Sequence, residues 1–312
     1  MYDRILLPTD GSEWSVAAAR HAFALARLDG GTIHVLSVVD VRHFEEELVG
    51  TDRREGMSIA EQSAHAAVDH VQTLAEEAGC RVRTSVRQGM PHTTIVDYAA
   101  SHDVDLVVMG THGRTGLQRF LLGSVAERVL RAASAPVLTV HLDGETETPS
   151  YDDVLVPTDG SEGSTAALEH ALVLAAATGG RVHVVSVVDS RALSGGFESG
   201  PALPSIRTHL EAYARESVET FRNRATDAGV DSTGTVAVGL PADEIRAFAE
   251  DNADLVVMGT HGRTGLERVI FGSVTERVVR TTAVPVLTVR PSASLTTLAG
   301  SGRGEHAEVT TE

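Results

Sequence analysis

The chain has 312 residues, 42% of them hydrophobic, enough for about two ordinary domains with real cores. Acidic residues outnumber Lys and Arg by 43 to 26, a formal charge of −17, and the chain contains no lysine. That balance repels phosphate backbones and argues against nucleic acid as a partner, while the missing lysine excludes a P-loop lysine, a kinase strand lysine and a Schiff base.

In chain order, Arg4–Leu7 is an apolar run before Pro8 and predicts a first strand. Ser12 caps a helix that runs to about Leu28 and is stopped by Gly30-Gly31. Its many alanines, Ala17 to Ala26, permit close packing on a sheet. Ile33–Val39 is a β-branched second strand. Val41–Met57 reads as acidic and irregular, and Ser58–Ala78 has apolar residues at helical steps. Arg81–Val86 is the third strand, with Cys80 a small half-buried residue at its start rather than a nucleophile. As the one cysteine, it excludes an intrachain disulfide and a Cys-based zinc site. Pro91 opens a helix to about Ser101, Leu106–Met109 is the fourth strand, Ser124 caps Val125–Ala133, and Val137–His141 is the fifth strand.

The same order then repeats through Val286–Arg290. Asp10 in LLPTDGSE matches Asp159 in LVPTDGSE, 149 residues on, and Asp40 matches Asp189 at the same interval. Gly89 matches Gly239 at 150, Gly110 matches Gly259 at 149, and both halves end in PVLTV. A period near 150 is a domain duplication rather than a solenoid. The expected division is residues 1–142 and 150–291 as two domains, joined by the polar Asp143–Ser150, with 292–312 a flexible tail. Strands alternating with helices predict an α/β fold, two doubly wound parallel five-stranded sheets in tandem. Ligands of such sheets sit beyond the C-terminal strand ends, where strand order reverses.

The stretch DLVVMGTHGRTGL occurs twice, at Asp105–Leu117 and Asp254–Leu266. Gly110, Gly113 and Gly123-Ser124 are separated by two and nine residues, as are Gly259, Gly262 and Gly272-Ser273. Glycines let backbone N–H groups approach a phosphate, and a helix N-terminus favours an anion. Asp10 suits a ribose hydroxyl or, through water, a magnesium ion, and Val38 offers backbone groups to an adenine edge. Taken singly, each feature has a plainer reading as a turn or a helix cap; the spacing, repeated at the switch point, points to a nucleotide.

G-x2-G-x9-G-[ST] after a strand, with PTDGSE upstream and PVLTV at the end, resembles the universal stress protein family, its ATP-binding branch in particular. The resemblance implies strand order 3-2-1-4-5, similar to the adenine nucleotide alpha-hydrolase and Rossmann-like folds. It implies adenosine contacts at Pro8, Thr9, Asp10 and Val38, and phosphate contacts at Gly110, Gly113, Gly123, Ser124 and the Val125 amide, with Met109 lining the pocket. In the second half these become Pro157, Thr158, Asp159, Val187, Met258, Gly259, Gly262, Gly272, Ser273 and Val274. It also implies that the last strands, Val137–Val140 and Val286–Val289, pair within the chain as a pseudo-dimer, with a further homodimer left open.

His112 and His261 lie in the loops, and Arg114 and Arg263 are the charges nearest a terminal phosphate. No nucleophile–base pair or metal cluster is visible. The expectation is an ATP-binding stress-response or signalling module, with Mg2+ accompanying ATP and an unidentified protein partner; the alternative is a weak ATPase or nucleotidyl-transfer enzyme. Apolar runs fall far short of the roughly 18 residues that span a bilayer, and MYDRILLPTD has no basic leader before an apolar region, so no membrane association and a cytoplasmic location are expected. The acid-rich, lysine-free composition further suggests a salt-loving source, the plainer account being a GC-rich genome that favours arginine codons.

Overall fold

The computed structural model describes residues 1–42, 51–113, 122–142, 149–194, 203–260 and 272–291. The first half runs β1 (Arg4–Pro8), α1 (Glu13–Asp29), β2 (Thr32–Asp40), α2 (Thr51–Glu77), β3 (Arg81–Gly89), α3 (Pro91–Ser101), β4 (Leu106–Gly110), α4 (Ser124–Ala132) and β5 (Val137–Val140). The second runs β6 (Asp153–Pro157), α5 (Glu162–Thr178), β7 (Arg181–Asp189), the short α6 (Ser190–Ser194), α7 (Leu203–Asp227), β8 (Asp231–Gly239), α8 (Pro241–Asn252), β9 (Leu255–Gly259), α9 (Ser273–Thr281) and β10 (Val286–Val289).

Each half has the expected order 3-2-1-4-5, with parallel pairing throughout. The two five-stranded sheets fuse into one of ten strands, β3-β2-β1-β4-β5-β10-β9-β6-β7-β8. The seam is antiparallel, Leu138 opposite Leu287. Each strand there is VLTV and fully buried, so both edges that would otherwise template foreign strands are used up. The buried hydroxyls lock the register reciprocally: Thr139 Oγ1 donates to Val286 O (3.2 Å) and Thr288 Oγ1 to Val137 O (3.1 Å).

The strands are apolar on both faces because both are covered. On one face Ile5, Leu7, Val35, Leu106 and Val108 meet Ala18, Ala22 and Phe23 of α1 and Val71 of α2. On the other, Leu6, Leu36, Val107 and Met109 meet Ile95 of α3 and Val129 of α4. The helices lie close where α1 crosses β4 and α5 crosses β9. A Cβ on Gly110 would lie 2.8 Å from Trp14 O, and one on Gly259 2.5 Å from the Gly163 backbone. These two glycines therefore serve helix-on-strand packing, a role that a reading of them as phosphate contacts alone leaves out.

Several boundaries differ from expectation. The helix expected from Ser58 begins by Thr51, inside the stretch read as irregular; residues 43–50 lie outside the described set. β3 extends to Gly89, because β2 pairs with it from Arg81 onward along nine residues although its outer face is too polar to read as strand. The fifth strand ends at Val140 rather than His141. The one-residue offset between the halves resolves at Asp103. The first half closes α3 at Ser101 and turns through Asp103 at φ 45, a left-handed residue, whereas α8 continues to Asn252 and needs no such residue. Among the described residues no helix is long and apolar enough to cross a membrane. The predicted linker core at 143–148 and the tail at 292–312 lie outside the described residues.

Candidate functional site

In the second half a cavity of about 390 Å3 opens at the C-terminal ends of β6, β7 and β9, against the first turns of α8 and α9. This is the switch point, since β6 lies between β7 and β9. Its lining includes Pro157, Thr158, Asp159, Val187, Met258, Gly259, Gly272, Ser273 and Val274. Every residue anticipated for this half is thus on the wall of one cavity except Gly262, which lies outside the described residues with His261 and Arg263.

The PTDGSE turn is built by its own polar atoms. Gly11 and Gly160 stand at φ 79 and 77, a left-handed position that suits glycine. Ser12 and Ser161 cap α1 and α5, accepting from the Ser15 and Ser164 amides. Asp10 Oδ1 accepts from the Ser12 amide (3.0 Å) and hydroxyl (2.6 Å), and Asp159 Oδ1 accepts from the Ser161 amide (3.1 Å). The carboxylate is thereby fixed in direction at the crevice. A Cβ on Gly113 would lie 2.6 Å from Asp10 Oδ2, so the two sequence motifs do meet across the crevice.

The second-strand residue earns its place through backbone alternation. β1 stops at Pro8, opposite Leu36, and the Thr9 amide donates to Leu36 O (2.9 Å). Backbone groups on a strand alternate sides, so Val38 turns its N–H and C=O the same way, beyond the end of β1. Val187 repeats this after Val185, whose carbonyl accepts from Thr158 (2.8 Å).

At the helix end, the caps are Gly123 and Gly272, and Ser124 and Ser273 are the first helical residues rather than the caps expected from sequence. Neither helix has a side-chain cap. The amides of the first turn lack intrahelical acceptors, so each helix presents N–H groups and the positive end of its dipole to the crevice. The Gly123 amide donates to Thr111 O (2.7 Å) and the Gly272 amide to Thr260 O (2.8 Å), which pins the helix start to the strand end. A Cβ on Gly123 would lie 2.8 Å from that Thr111 oxygen.

Sequence reasoning missed Ser161, Ser164, Val185, Pro241, Ile245 and Thr275 on the wall. The recurrence of Ser12, Ser15, Pro91 and Ile95 in the first half was the available signal. Asp189 also lines the cavity and is held by Arg191 through Nε (3.0 Å) and Nη2 (2.6 Å); that guanidinium keeps its carboxyl below the usual range. Asp40 is held in the same way by Arg42, through Nε (2.9 Å). The DVR and DSR triplets carried this pairing in the sequence. In the first half His112 packs on Trp14, ring centroids 4.5 Å apart, with Nδ1 3.1 Å from Thr111 Oγ1. Arg114 lies outside the described residues. Among the described residues no group of three or more His, Cys, Asp or Glu is placed to hold a metal.

The profile of the Universal stress protein family matches residues 1–141 and again 150–290. A universal stress protein of Mycolicibacterium smegmatis is 32% identical over 301 residues, covering 92% of this chain and 97% of its own. The Methanocaldococcus jannaschii universal stress protein MJ0531 is 39% identical over 140 residues, 45% of this chain and 82% of its own length. The crystal structure of an Archaeoglobus fulgidus universal stress protein superposes with a TM-score of 0.69 at 26% identity, covering 92% of this chain and 96% of that one. With its profile met in both halves, and with a relative aligned over nearly the whole length of each, the chain belongs to the universal stress protein family as a tandem of two copies.

Proposed function

We propose that the chain is an adenine-nucleotide-binding module of the stress response, taking ATP in two equivalent crevices and changing its affinity for a protein partner with occupancy. The observation that carries this reading is the second-half cavity. Its apolar wall of Val185, Val187, Ile245 and Met258 suits a purine, the fixed Asp159 suits a ribose, and the uncapped N-terminus of α9 suits phosphates. The ten first-half counterparts, from Pro8 to Val125, are assigned the same roles on the same elements. In this reading residues 1–142 and 150–291 are the binding domains, and 292–312 a tail.

A magnesium ion would be held chiefly by phosphate oxygens, with Asp10 or Asp159 acting through water, as suits an ion that keeps much of its hydration. Binding is favoured over turnover because His112 is engaged by Thr111 and Trp14, which suits a wall residue better than a general base. The proposal places the protein in the cytoplasm, where ATP is available.

Mass spectrometry of small molecules released from the purified, denatured protein is expected to find adenine nucleotide, and calorimetry on the stripped protein to show ATP binding. Absence of both would overturn the reading. Steady ATP turnover, lost in His112→Ala with His261→Ala, would favour the enzymatic alternative instead.

A further inference from the structure

A second cavity, of about 480 Å3, lies at the opposite end of the first-half sheet, where strands begin. It is lined by Arg4, Thr32, His34, Arg83, Ser101, His102 and Asp103. Arg4, His34 and Arg83 come from three adjacent strands: Arg4 pairs with Thr32, and His34 with Arg83. Two guanidinium groups thus share a wall that carries a single carboxylate, Asp103. Arg4 reaches Asp103 at 3.5 Å, a long and exposed contact. Among the described residues Arg83 has no carboxylate within ion-pair distance.

The second half shows what the same backbone does without this arrangement. There Arg4 is replaced by Asp153, Thr32 by Arg181, Arg83 by Thr233, Ser101 by Asp251 and His102 by Asn252, and Asp103 has no counterpart. The equivalent histidine, His183, is satisfied internally: Nε2 is 2.8 Å from Asp153 Oδ1 and Nδ1 is 2.8 Å from Thr233 Oγ1. Arg181 also pairs with Asp153 (3.4 Å). Nothing in the fold therefore requires two arginines around His34.

The histidines are held ready. Tyr98 O–H lies 3.1 Å from His34 Nδ1 and, donating there, leaves the ring proton on Nε2. His102 Nδ1 donates to Tyr98 O (2.9 Å), and its ring stacks on Tyr98 with centroids 3.8 Å apart, 10° from parallel. Burial and the charges of Arg83, His102 and Arg4 all push the His34 imidazole toward its neutral form, so the local potential is positive.

We propose that this pocket binds the phosphate group of a small phosphomonoester, with Arg4 and Arg83 as charge partners, Thr32 and the His34 Nε2–H as hydrogen-bond donors, and Ser101 and His102 on the wall. Arginine's planar fork matches phosphate oxygens, and the cavity lies in the range of roughly 300–1,000 Å3 typical of small-ligand sites. Asp103, at the rim on its left-handed turn, selects against ligands whose remainder is anionic. The site is separate from the crevices and does not depend on their nucleotide.

The test is an NMR titration of the full chain with glycerol phosphate and with inorganic phosphate, following the His34 and His102 ring resonances. Saturable shifts are expected with both probes. Arg4→Asp with Arg83→Thr, which installs the second-half residues in a fold shown to accept them, is expected to weaken binding at least tenfold. Ser101→Asp alone is expected to weaken it through repulsion. An absence of saturable shifts, equal shifts with chloride at the same concentration, or undiminished binding in both variants would overturn the proposal.

Discussion

Tyr2 and His170, and across the seam His21 and Tyr151, form two reciprocal contacts between the halves, each with the phenol oxygen 2.8 Å from the imidazole Nδ1. Tyr151 follows Tyr2 by 149 residues and His170 follows His21 by 149, so one pair is the pseudo-two-fold image of the other. Burial raises both phenols, which remain protonated and donate, and it lowers His21 from 6.5 to about 4. His141, with a buried Nδ1 that has no hydrogen-bond partner among the described residues, is likewise lowered to about 4, by burial and then by His112. Both rings are neutral in the folded chain and would take up a proton in the unfolded one below pH 6.5. Stability contributed by their neutral forms is therefore complete above 6.5 and lost as pH falls toward 4. The loss is at most about 3 kcal/mol per ring, less whatever water screens. Thermal unfolding followed from pH 7 to 4 should show a shallower decline in His21→Gln with His141→Gln than in the parent. Parallel declines would show that the carboxylates alone set the acid limit.

Among the elements, the starts of α4 and α9 carry the sharpest expectation. Gly123 and Gly272 already hold extended conformations, φ −60, ψ 142 and φ −61, ψ 137, which suit a residue preceding proline. Pro91 and Pro241 occupy the matching first position of α3 and α8. Ser124→Pro with Ser273→Pro should thus keep both helices while deleting one N–H and one hydroxyl from each crevice. Hydrogen bonds to charged groups contribute roughly 1.5–3 kcal/mol, so ATP affinity by calorimetry should fall at least about tenfold with circular dichroism unchanged. Unaltered affinity would remove the helix starts from the site. A glycine-to-valine change at Gly123 is a poorer probe, because its Cβ meets Thr111 O even without ligand. Strand order and the seam were legible through the resemblance to the family; the residues themselves, in apolar runs such as LVVM, announced only parallel strands covered on both faces. The start of α2 was not, because Thr51–Met57, TDRREGM, is charged and polar and shows no apolar rhythm. Nor was the approach of α1 that makes Gly110 obligatory: that contact joins residues nearly a hundred positions apart, and no local pattern announces it. Tyr213 of α7, whose hydroxyl donates to Asp159 O at 3.3 Å, escaped for the same reason.

Over the whole molecule, a charge of −17 on 312 residues opposes compaction until ions screen it. The screening length contracts from about 10 Å at 0.1 M salt to about 3 Å at 1 M. If the acid-rich surface is an adaptation to brine, the urea midpoint should climb steeply between dilute buffer and molar sodium chloride; full stability in dilute buffer would count against it. The Arg–Glu pairs one helical turn apart, Arg131–Glu127 and Arg280–Glu276, are half-exposed and would themselves weaken slightly with salt, so a net gain would report the repulsive background. The seam between β5 and β10 has one more consequence. In a dimer of identical chains every substitution appears on both sides of the axis, so a feature is present twice or absent. Here the two halves are separate stretches of one gene product, and each can drift alone. Arg4 can stand where the other half has Asp153, and Arg83 where it has Thr233, with no compromise between them. Covalent linkage leaves each half free to carry chemistry that the other never has to tolerate.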